Sequence, residues 1–217
     1  MTRDDSGTTS TDRERERLRM VERQLRRRGI DDERVLDAMA TVPRELFLPE
    51  DQRGRAYRDG AVRIAEGQTM SQPWIVACMA QLLELDGSET VLEVGTGSGY
   101  AAAVLSRLCR EVVTIERYEK LAVEAEQALH ELGYDNVVVG VGDGTLGAPE
   151  RAPFGGISVT ATARDEPPAA LVEQLAPGAA LVCPVERGGR EHLMRFREGE
   201  EEVVTGVRFV PLVTGEP

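Results

Sequence analysis

The residues best placed to do chemistry begin in one short run. Residues 91–100 read Val-Leu-Glu-Val-Gly-Thr-Gly-Ser-Gly-Tyr, an apolar strand passing into three alternate glycines, Gly95, Gly97 and Gly99, and then into a helix. Glycine is needed where a backbone must turn sharply and lie flat against a ligand that a Cβ would displace. The pattern is not the G-x-G-x-x-G that brings a pyrophosphate to a helix N-terminus, and Glu93 just before the turn carries a carboxylate that would repel one. A carboxylate there suits a ligand with an ammonium group. Two further acidic residues close the next two strands. Glu116 follows Gly95 by about 20 residues, where a carboxylate can accept hydrogen bonds from two ribose hydroxyls. Asp143, between Gly142 and Gly144, can reach a polar ring edge while the backbone stays clear of it. Arg117 and Gly144, adjoining these carboxylates, fall in the same pocket. The three strand ends together describe an adenosine site. An adenosine ligand bearing an ammonium and no phosphates is S-adenosylmethionine, so the expected cofactor is a methyl donor.

Other chemistries find few residues to work with. Lys120 is the only lysine, on a predicted helix surface, which leaves lysine nucleophiles improbable. Cys78, Cys109 and Cys183 lie far apart inside apolar runs, so they are expected as small core residues of a protein in a reducing compartment. His130 and His192 have no neighbours at metal or Ser-His spacing, and no metal is expected. With 26 Lys+Arg against 38 Asp+Glu, the net charge of -12 argues against a nucleic-acid partner. No stretch approaches the roughly 20 apolar residues that span a bilayer, and the polar N-terminus lacks a signal-peptide core, so a soluble cytoplasmic protein without membrane contact is expected.

The elements that must position this site follow from periodicity. Residues 1–12 hold almost nothing to bury and are expected as a disordered tail. Leu18, Val21 and Leu25 mark a narrow apolar stripe on a helix over residues 13–28, its arginines solvated, ending before Gly29. A second helix has Asp31, Asp32 and Glu33 in its first turn, Val35, Leu36 and Met39 on one side, and Pro43 beyond it. Residues 47–72 are irregular, and residues 75–85 form a helix with Ile75, Met79, Leu82 and Leu83 inward, closed by Asp86-Gly87. From Thr90 strands at 91–94, 112–115, 137–141, 157–161 and 180–185 alternate with helices at 101–108, 118–132 and 168–175. A hairpin of residues 193–197 and 203–210, turning over 198–202, closes the chain. The fold class is therefore α/β: a doubly wound, mostly parallel Rossmann-like sheet with N-terminal accessory helices and a C-terminal β-hairpin. Residues 13–217 are expected as a single domain, 13–85 forming the acceptor side and 86–217 the cofactor sheet.

The run Glu-x-Gly-x-Gly-x-Gly, an acidic second-strand end and Gly-Asp-Gly after the third resemble the class I methyltransferases. Further segments narrow the resemblance: Met20-Val21-Glu22-Arg23-Gln24-Leu25, Arg28-Gly29-Ile30, Val42-Pro43-Arg44-Glu45-Leu46-Phe47-Leu48-Pro49, Ala56-Tyr57 and Gly67-Gln68-Thr69-Met70-Ser71-Gln72-Pro73. Together with Ala152-Pro153-Phe154, Gln174-Leu175 and Val207-Arg208-Phe209-Val210-Pro211-Leu212, these are similar in identity and order to the protein-L-isoaspartate O-methyltransferase family. Membership would imply a monomeric enzyme that methylates the α-carboxylate of L-isoaspartyl residues in damaged proteins and peptides, the ester then cyclising to a succinimide that opens partly to aspartate. It would make Ser71 the functional serine and Ser71, Gln72, Pro73 and Trp74 cofactor contacts, with Thr69 and Trp74 closing the site. The chain departs from the family pattern at Arg63, Ala65, Gly155, Gly156, Thr162 and Glu186, which bear on the acceptor side.

Three other functions compete: a carboxylate methyltransferase acting on an aspartyl side chain of one dedicated peptide, a silent S-adenosylmethionine-binding module, and a nicotinamide dehydrogenase. Retention of Gly95, Gly97, Gly99, Glu116 and Asp143 speaks against the silent module, and Glu93 with the glycine spacing speaks against the dehydrogenase. An anionic acceptor fits poorly with the net charge of -12, so the acidity is expected away from the acceptor groove, with Arg63 and the Arg-rich first helix as the nearest cations.

Overall fold

The computed structural model describes residues 10–215. Most of the expected tail therefore lies outside the described residues, but its last part does not stay unfolded: Ser10, Thr11 and Asp12 open helix α1 (Ser10–Met20). The helix continues through a π-turn, Val21–Leu25, and a 3-10 turn, Arg26–Arg28, and stops at Gly29, whose φ of 89° is left-handed. Its buried face differs from the expected stripe. Met20, Val21 and Leu25 are buried, but Leu18 is 49% exposed and Arg13 takes an inward position. Arg17 is half-buried and donates to Ala40 O at 2.6 Å and to the Tyr57 hydroxyl. The inward face meets polar groups, so arginine stems fill it and Leu18 turns to solvent.

Helix α2 (Glu33–Thr41) is capped by Asp32, whose carboxylate accepts from Arg34 N and Val35 N. Arg34 fastens this helix to the sheet domain, donating to Leu85 O and Leu108 O. The irregular stretch contains 3-10 turns and one minimal ribbon, β1 (Val62–Arg63) against β2 (Thr69–Met70). Helix α3 (Pro73–Leu82) starts two residues earlier than expected because Pro73 supplies its first turn.

The sheet is built from β3 (Thr90–Val94), β4 (Glu111–Glu116), β5 (Val137–Val141), β6 (Phe154–Val159), β7 (Ala163–Arg164), β8 (Leu175–Arg187), β9 (Arg190–Arg197) and β10 (Glu200–Gly206). Helices α4 (Tyr100–Leu105), α5 (Glu119–Glu131) and α6 (Ala169–Glu173) connect them. The order is β10-β9-β8-β6-β3-β4-β5, with β7 beside β8, and pairing is parallel from β8 to β5. The connection reverses between β3 and β6, and open α/β sheets bind ligands in the crevice at such a point. β8 is far longer than residues 180–185 because it pairs with β6 on one side and with antiparallel β9 on the other. The last hairpin turns at Glu198-Gly199 alone, both with positive φ, the geometry a two-residue turn needs; Glu200, Glu201 and Glu202 belong to the strand. That strand ends at Gly206, short of the expected Val210.

Alternation along β3 and β4 divides the core between the two faces of the sheet. Val91 and Val112 pack with the accessory helices, α4 and α5, while Leu92, Val94, Val113 and Ile115 pack with Phe154, Ile157 and Leu171 on the other face. Cys78, Cys109 and Cys183 are free and buried, and burial pushes their thiols up to about 11, 12 and 12, so all three stay protonated core residues at neutral pH. Among the described residues no helix is long and apolar enough to cross a membrane.

The cap and the unexpected face of α1 give a paired test. Asp32→Ala should lower the urea-unfolding free energy by about 1 kcal/mol, whereas Leu18→Ala should change it by less than about 0.5 kcal/mol. A larger loss for Leu18→Ala would place that side chain back in the core.

Candidate active site

The C-terminal ends of β3 and β4 frame a cavity of about 370 Å³. The turn after β3 forms its floor, with Gly95, Gly97 and Gly99 at φ 95°, 56° and 85°, a region L side chains rarely adopt. Gly95 is doubly constrained: a Cβ there would lie 2.3 Å from Thr160 Oγ1. Gly144, on the opposite wall, would place a Cβ 2.4 Å from Val94 Cγ1. Both glycines are therefore required by the close approach of neighbouring side chains, Thr160 and Val94. Gly95 N donates to Ile115 O at 2.8 Å, joining the turn to β4.

Glu116 lines the cavity and is almost wholly buried. Its Oε2 accepts from Gly97 N at 2.8 Å and its Oε1 from Tyr118 N at 3.1 Å. A carboxylate has about four acceptor positions, so each oxygen keeps one for a ligand hydroxyl. Ser71, Arg117 and Gly144 line the same cavity.

Six expected residues do not line this cavity, Gly99 and Asp143 among them; a Cβ on Gly99 would meet Ala125 and Leu129 at 3.3 Å, so that glycine serves packing against α5. Glu93 is wholly buried beneath the turn and does not line the cavity. Thr114 Oγ1 donates to its Oε2 at 2.6 Å, and its Oε1 has no partner among the described residues. Burial pushes its carboxyl up to about 8, against the Thr114 hydrogen bond, with the charge of Glu116 adding to the rise. Glu93 thus belongs to the foundation of the turn. Gln72 stands at the N-cap of α3 without capping it, its amide turned to Asp59. Pro73 is buried in the first turn of α3. Trp74 is half-buried against the core and does not line the cavity: its Nε1 donates to Arg28 O and the Arg28 guanidinium lies 5.0 Å from its ring centre.

Asp143 does not line the cavity itself but adjoins Gly144, which does. Its Oδ1 accepts from Thr145 N and Thr145 Oγ1, and its Oδ2 from Gly215 N at 2.7 Å. Burial opposes ionisation, but these hydrogen bonds and the nearby Arg117 outweigh it and hold the carboxyl below its usual range.

The largest feature absent from the expected site is the segment after β10. Residues 209–213 leave the sheet and run along the cavity wall. Thr162 grips this strap: its N donates to Val210 O, its O accepts from Leu212 N, and it bridges Pro211. Arg117 Nη1 donates to Val213 O at 2.9 Å. Thr160 also lines the cavity, its hydroxyl donating to Gly95 O at 2.8 Å. Pro211, breaking the strand pattern in Phe209-Val210-Pro211-Leu212, was the available signal that this run leaves the sheet.

A second, wider groove of about 930 Å³ meets the first along Thr69, Ser71 and Phe209, which line both. Its wall carries Gln72, Glu186, Arg190, Glu191, His192 and Arg208. The carboxylates are already engaged within the wall: Glu186 accepts from Gly189 N, and Glu191 from Thr162 Oγ1 and Phe209 N. The cations nearest to this groove are Arg190 and Arg208, and neither Arg63 nor the first helix contributes an arginine to either lining. Gly155 and Gly156 lie at the opposite end of the sheet, where a Cβ on Gly155 would collide with Glu89 at 2.5 Å. Their departure from the family pattern leaves both cavities untouched.

At Ser71 the main chain is held and the hydroxyl is not. Arg44 Nη2 donates to Ser71 O at 2.6 Å, while Ser71 Oγ makes no hydrogen bond among the described residues.

The raised carboxyl of Glu93 gives the ligand-free protein a pH dependence. Its folded pKa lies above its unfolded value, so stability is fullest below the unfolded pKa and is lost as pH rises through about 8. Glu93→Gln should therefore match wild type near pH 5 and exceed it at pH 8.5 by roughly 1–4 kcal/mol. Thermal unfolding of both proteins across that range is the measurement, and parallel curves would contradict the assignment.

Comparison with known proteins converges on one group. The family model for protein-L-isoaspartate(D-aspartate) O-methyltransferase matches residues 15–217. A protein-L-isoaspartate O-methyltransferase of Roseiflexus castenholzii is 53% identical over 197 residues, covering 88% of this chain and 89% of its own. That of Herpetosiphon aurantiacus is 48% identical over 204 residues, covering 92% and 91%. Among solved structures, a protein-L-isoaspartate O-methyltransferase superposes with a TM-score of 0.80 at 29% identity, over 92% of this chain and 66% of that one. A Plasmodium falciparum structure, described as a putative protein-L-isoaspartate O-methyltransferase in complex with S-adenosyl-L-homocysteine, gives a TM-score of 0.77 at 26% identity, over 91% and 98%. The glycine turn, the strand-end carboxylates and these similarities over nearly the whole length agree: the chain belongs to the protein-L-isoaspartate(D-aspartate) O-methyltransferase family.

Proposed function

We infer that this protein is a repair methyltransferase that transfers a methyl group from S-adenosylmethionine to the α-carboxylate of L-isoaspartyl residues in damaged proteins and peptides. The observation that carries this reading is the junction at Ser71. A cavity with an adenosine-type carboxylate meets a larger groove there, and the serine hydroxyl at the junction makes no hydrogen bond among the described residues.

The first cavity fits the cofactor. Its volume falls in the usual small-molecule range of about 300–1,000 Å³. Gly95, Gly97 and Gly144 line it with bare backbone, and Glu116 retains acceptor positions for the ribose hydroxyls. Arg117 and Tyr118 complete the wall, and Asp143, beside Gly144 of the lining, would meet the adenine edge on exchanging its bond to Gly215 N. When bound, S-adenosylmethionine supplies an electrophilic methyl on a sulfonium.

The acceptor asks little acid–base work of the protein. An α-carboxylate has a pKa of about 3.5 and is already ionised at neutral pH, so no strong base is required. What the chain must supply is alignment of two reactants, which can be worth several kcal/mol of barrier. Ser71 Oγ is placed to donate a hydrogen bond to one carboxylate oxygen and so aim the other. Arg190 and Arg208 on the groove wall offset the repulsion an acidic chain would exert on an anionic acceptor. The reading extends to a monomeric protein in the cytoplasm, where three free buried cysteines would stay reduced.

Two substitutions separate the halves of the site. Ser71→Ala should lower kcat by about 10–100-fold with cofactor affinity within about twofold, since it removes a contact to the acceptor alone. Glu116→Ala should weaken S-adenosylhomocysteine binding by about 100-fold, on the order of two hydrogen bonds to a charged group, as read by calorimetry. The repair reading itself rests on a pair of peptides identical except for isoaspartate or aspartate at one position. Labelled methyl should pass to the isoaspartyl form with a large excess over its twin, and equal labelling of both, or none, would remove the reading.

A further inference from the structure

Arg44 is among the most deeply buried side chains of the protein, with no exposed surface, and it has no carboxylate partner among the described residues. The neighbouring Glu45 bonds to the Tyr57 hydroxyl instead. An unpaired guanidinium in a protein interior is costly, and a methionine of similar length would fill the same volume without that cost. The residue is therefore unexplained by packing, and no step of the proposed reaction uses its charge.

Its contacts point to another role. Nε donates to Ala56 O at 2.7 Å, Nη2 to Ser71 O at 2.6 Å, and the flat face of the guanidinium lies 4.6 Å from the ring centre of Tyr100. Tyr100 follows Gly99 directly and lines the first cavity. One rigid fork thus spans from the wall of the cofactor cavity to the main chain of the residue at its opening. The strand pair on the other side gives little help: β1 and β2 share only Val62 with Met70 and Arg63 with Thr69, and Ser71 lies just past their end. A two-stranded ribbon so short does not hold its own shape in water. A lysine ammonium cannot replace the fork, because it lacks both the paired donors and the planar face.

We propose that Arg44 is a positioning residue for methyl transfer, fixing the Ser71 main chain against the Tyr100 wall so that the Ser71 hydroxyl meets the acceptor carboxylate. The proposal rests on the repair reading above. It explains why a charge is kept where folding alone would favour an apolar side chain: the guanidinium fixes a distance between the two halves of the site.

A double-mutant cycle on the full-length protein tests it, with kcat and KM for an isoaspartyl peptide and calorimetric Kd for S-adenosylhomocysteine measured on wild type, Arg44→Lys, Ser71→Ala and the double variant. Arg44→Lys should lower kcat at least about tenfold while Kd stays within about twofold. Because Arg44 acts through Ser71, adding Arg44→Lys to Ser71→Ala should lower kcat by less than about twofold more. A purely structural role would make the two losses multiply, or would weaken cofactor binding in step with kcat, and either result overturns the proposal, as does an unchanged kcat. Arg44→Gln, which keeps a planar donor without the charge, runs in parallel; failure of both Arg44 variants to fold marks the residue as structural and also overturns it. A wild-type protein that labels no isoaspartyl peptide removes the repair reading and the proposal together, whereas an active wild type with multiplicative losses removes the proposal alone.

Discussion

The carboxylate of Glu116 accepts from Gly97 N and Tyr118 N, and those two bonds join the turn after β3 to the start of the next connection. Without an acceptor at that place, Gly97 N in the glycine turn and Tyr118 N after β4 would both lose their partner, a costly state in a partly buried site. The same residue sits at the strand end because β4 is buried on both faces and must stop where its polar terminus can reach the crevice. Glu93 serves the turn from beneath. Enclosed by the sheet and bonded by Thr114, it favours the neutral acid, so its charge is withdrawn from the field at the site.

Around this turn the chain assembles two halves of different character. The cofactor half is a sheet end whose geometry is set by backbone bonds and by close approach at Gly95 and Gly144. The acceptor half is made of short turns, a minimal ribbon and the strap over residues 209–213, held by side chains reaching across, Arg34 to Leu85 O and Leu108 O and Arg44 to Ser71 O, and by the main chain of Thr162, which bonds to the strap. Arginine recurs in this role because one planar side chain can satisfy carbonyls from separate segments at once. That use also clarifies the composition: with Lys120 as the only lysine, much of the positive charge in an acidic chain is arginine employed as structural bracing or at the groove wall.

The parts legible in the sequence were those governed by local rules. Strand periodicity and the glycine spacing located β3, its turn and Glu116 because each depends on a few adjacent residues. The glutamate-rich run 198–202 reads as loop throughout, yet the turn needs only the two positive-φ residues Glu198 and Gly199. The spacing of Leu18 to Val21 fits an inward stripe, whereas the face that Arg17 presents to Ala40 O decides the helix rotation. Trp74 and Glu93 follow the same logic: a sequence shows that an aromatic or a carboxylate is near a site, and only packing shows which side of the backbone it takes. The place of the strap in the site is not legible in the sequence because it is fixed by Thr162 and Arg117, residues distant in sequence from it.

Methyl transfer in this arrangement depends on placement, with the acceptor already charged and the serine free to aim it. A crystal structure of the complex with S-adenosylhomocysteine and an isoaspartyl peptide is the most direct measurement of that placement. The isoaspartyl α-carboxylate should lie within about 2.6–3.2 Å of Ser71 Oγ and face the cofactor sulfur across the junction of the two cavities. A peptide seated in the groove with its α-carboxylate turned away from Ser71, or held elsewhere on the surface, would contradict it.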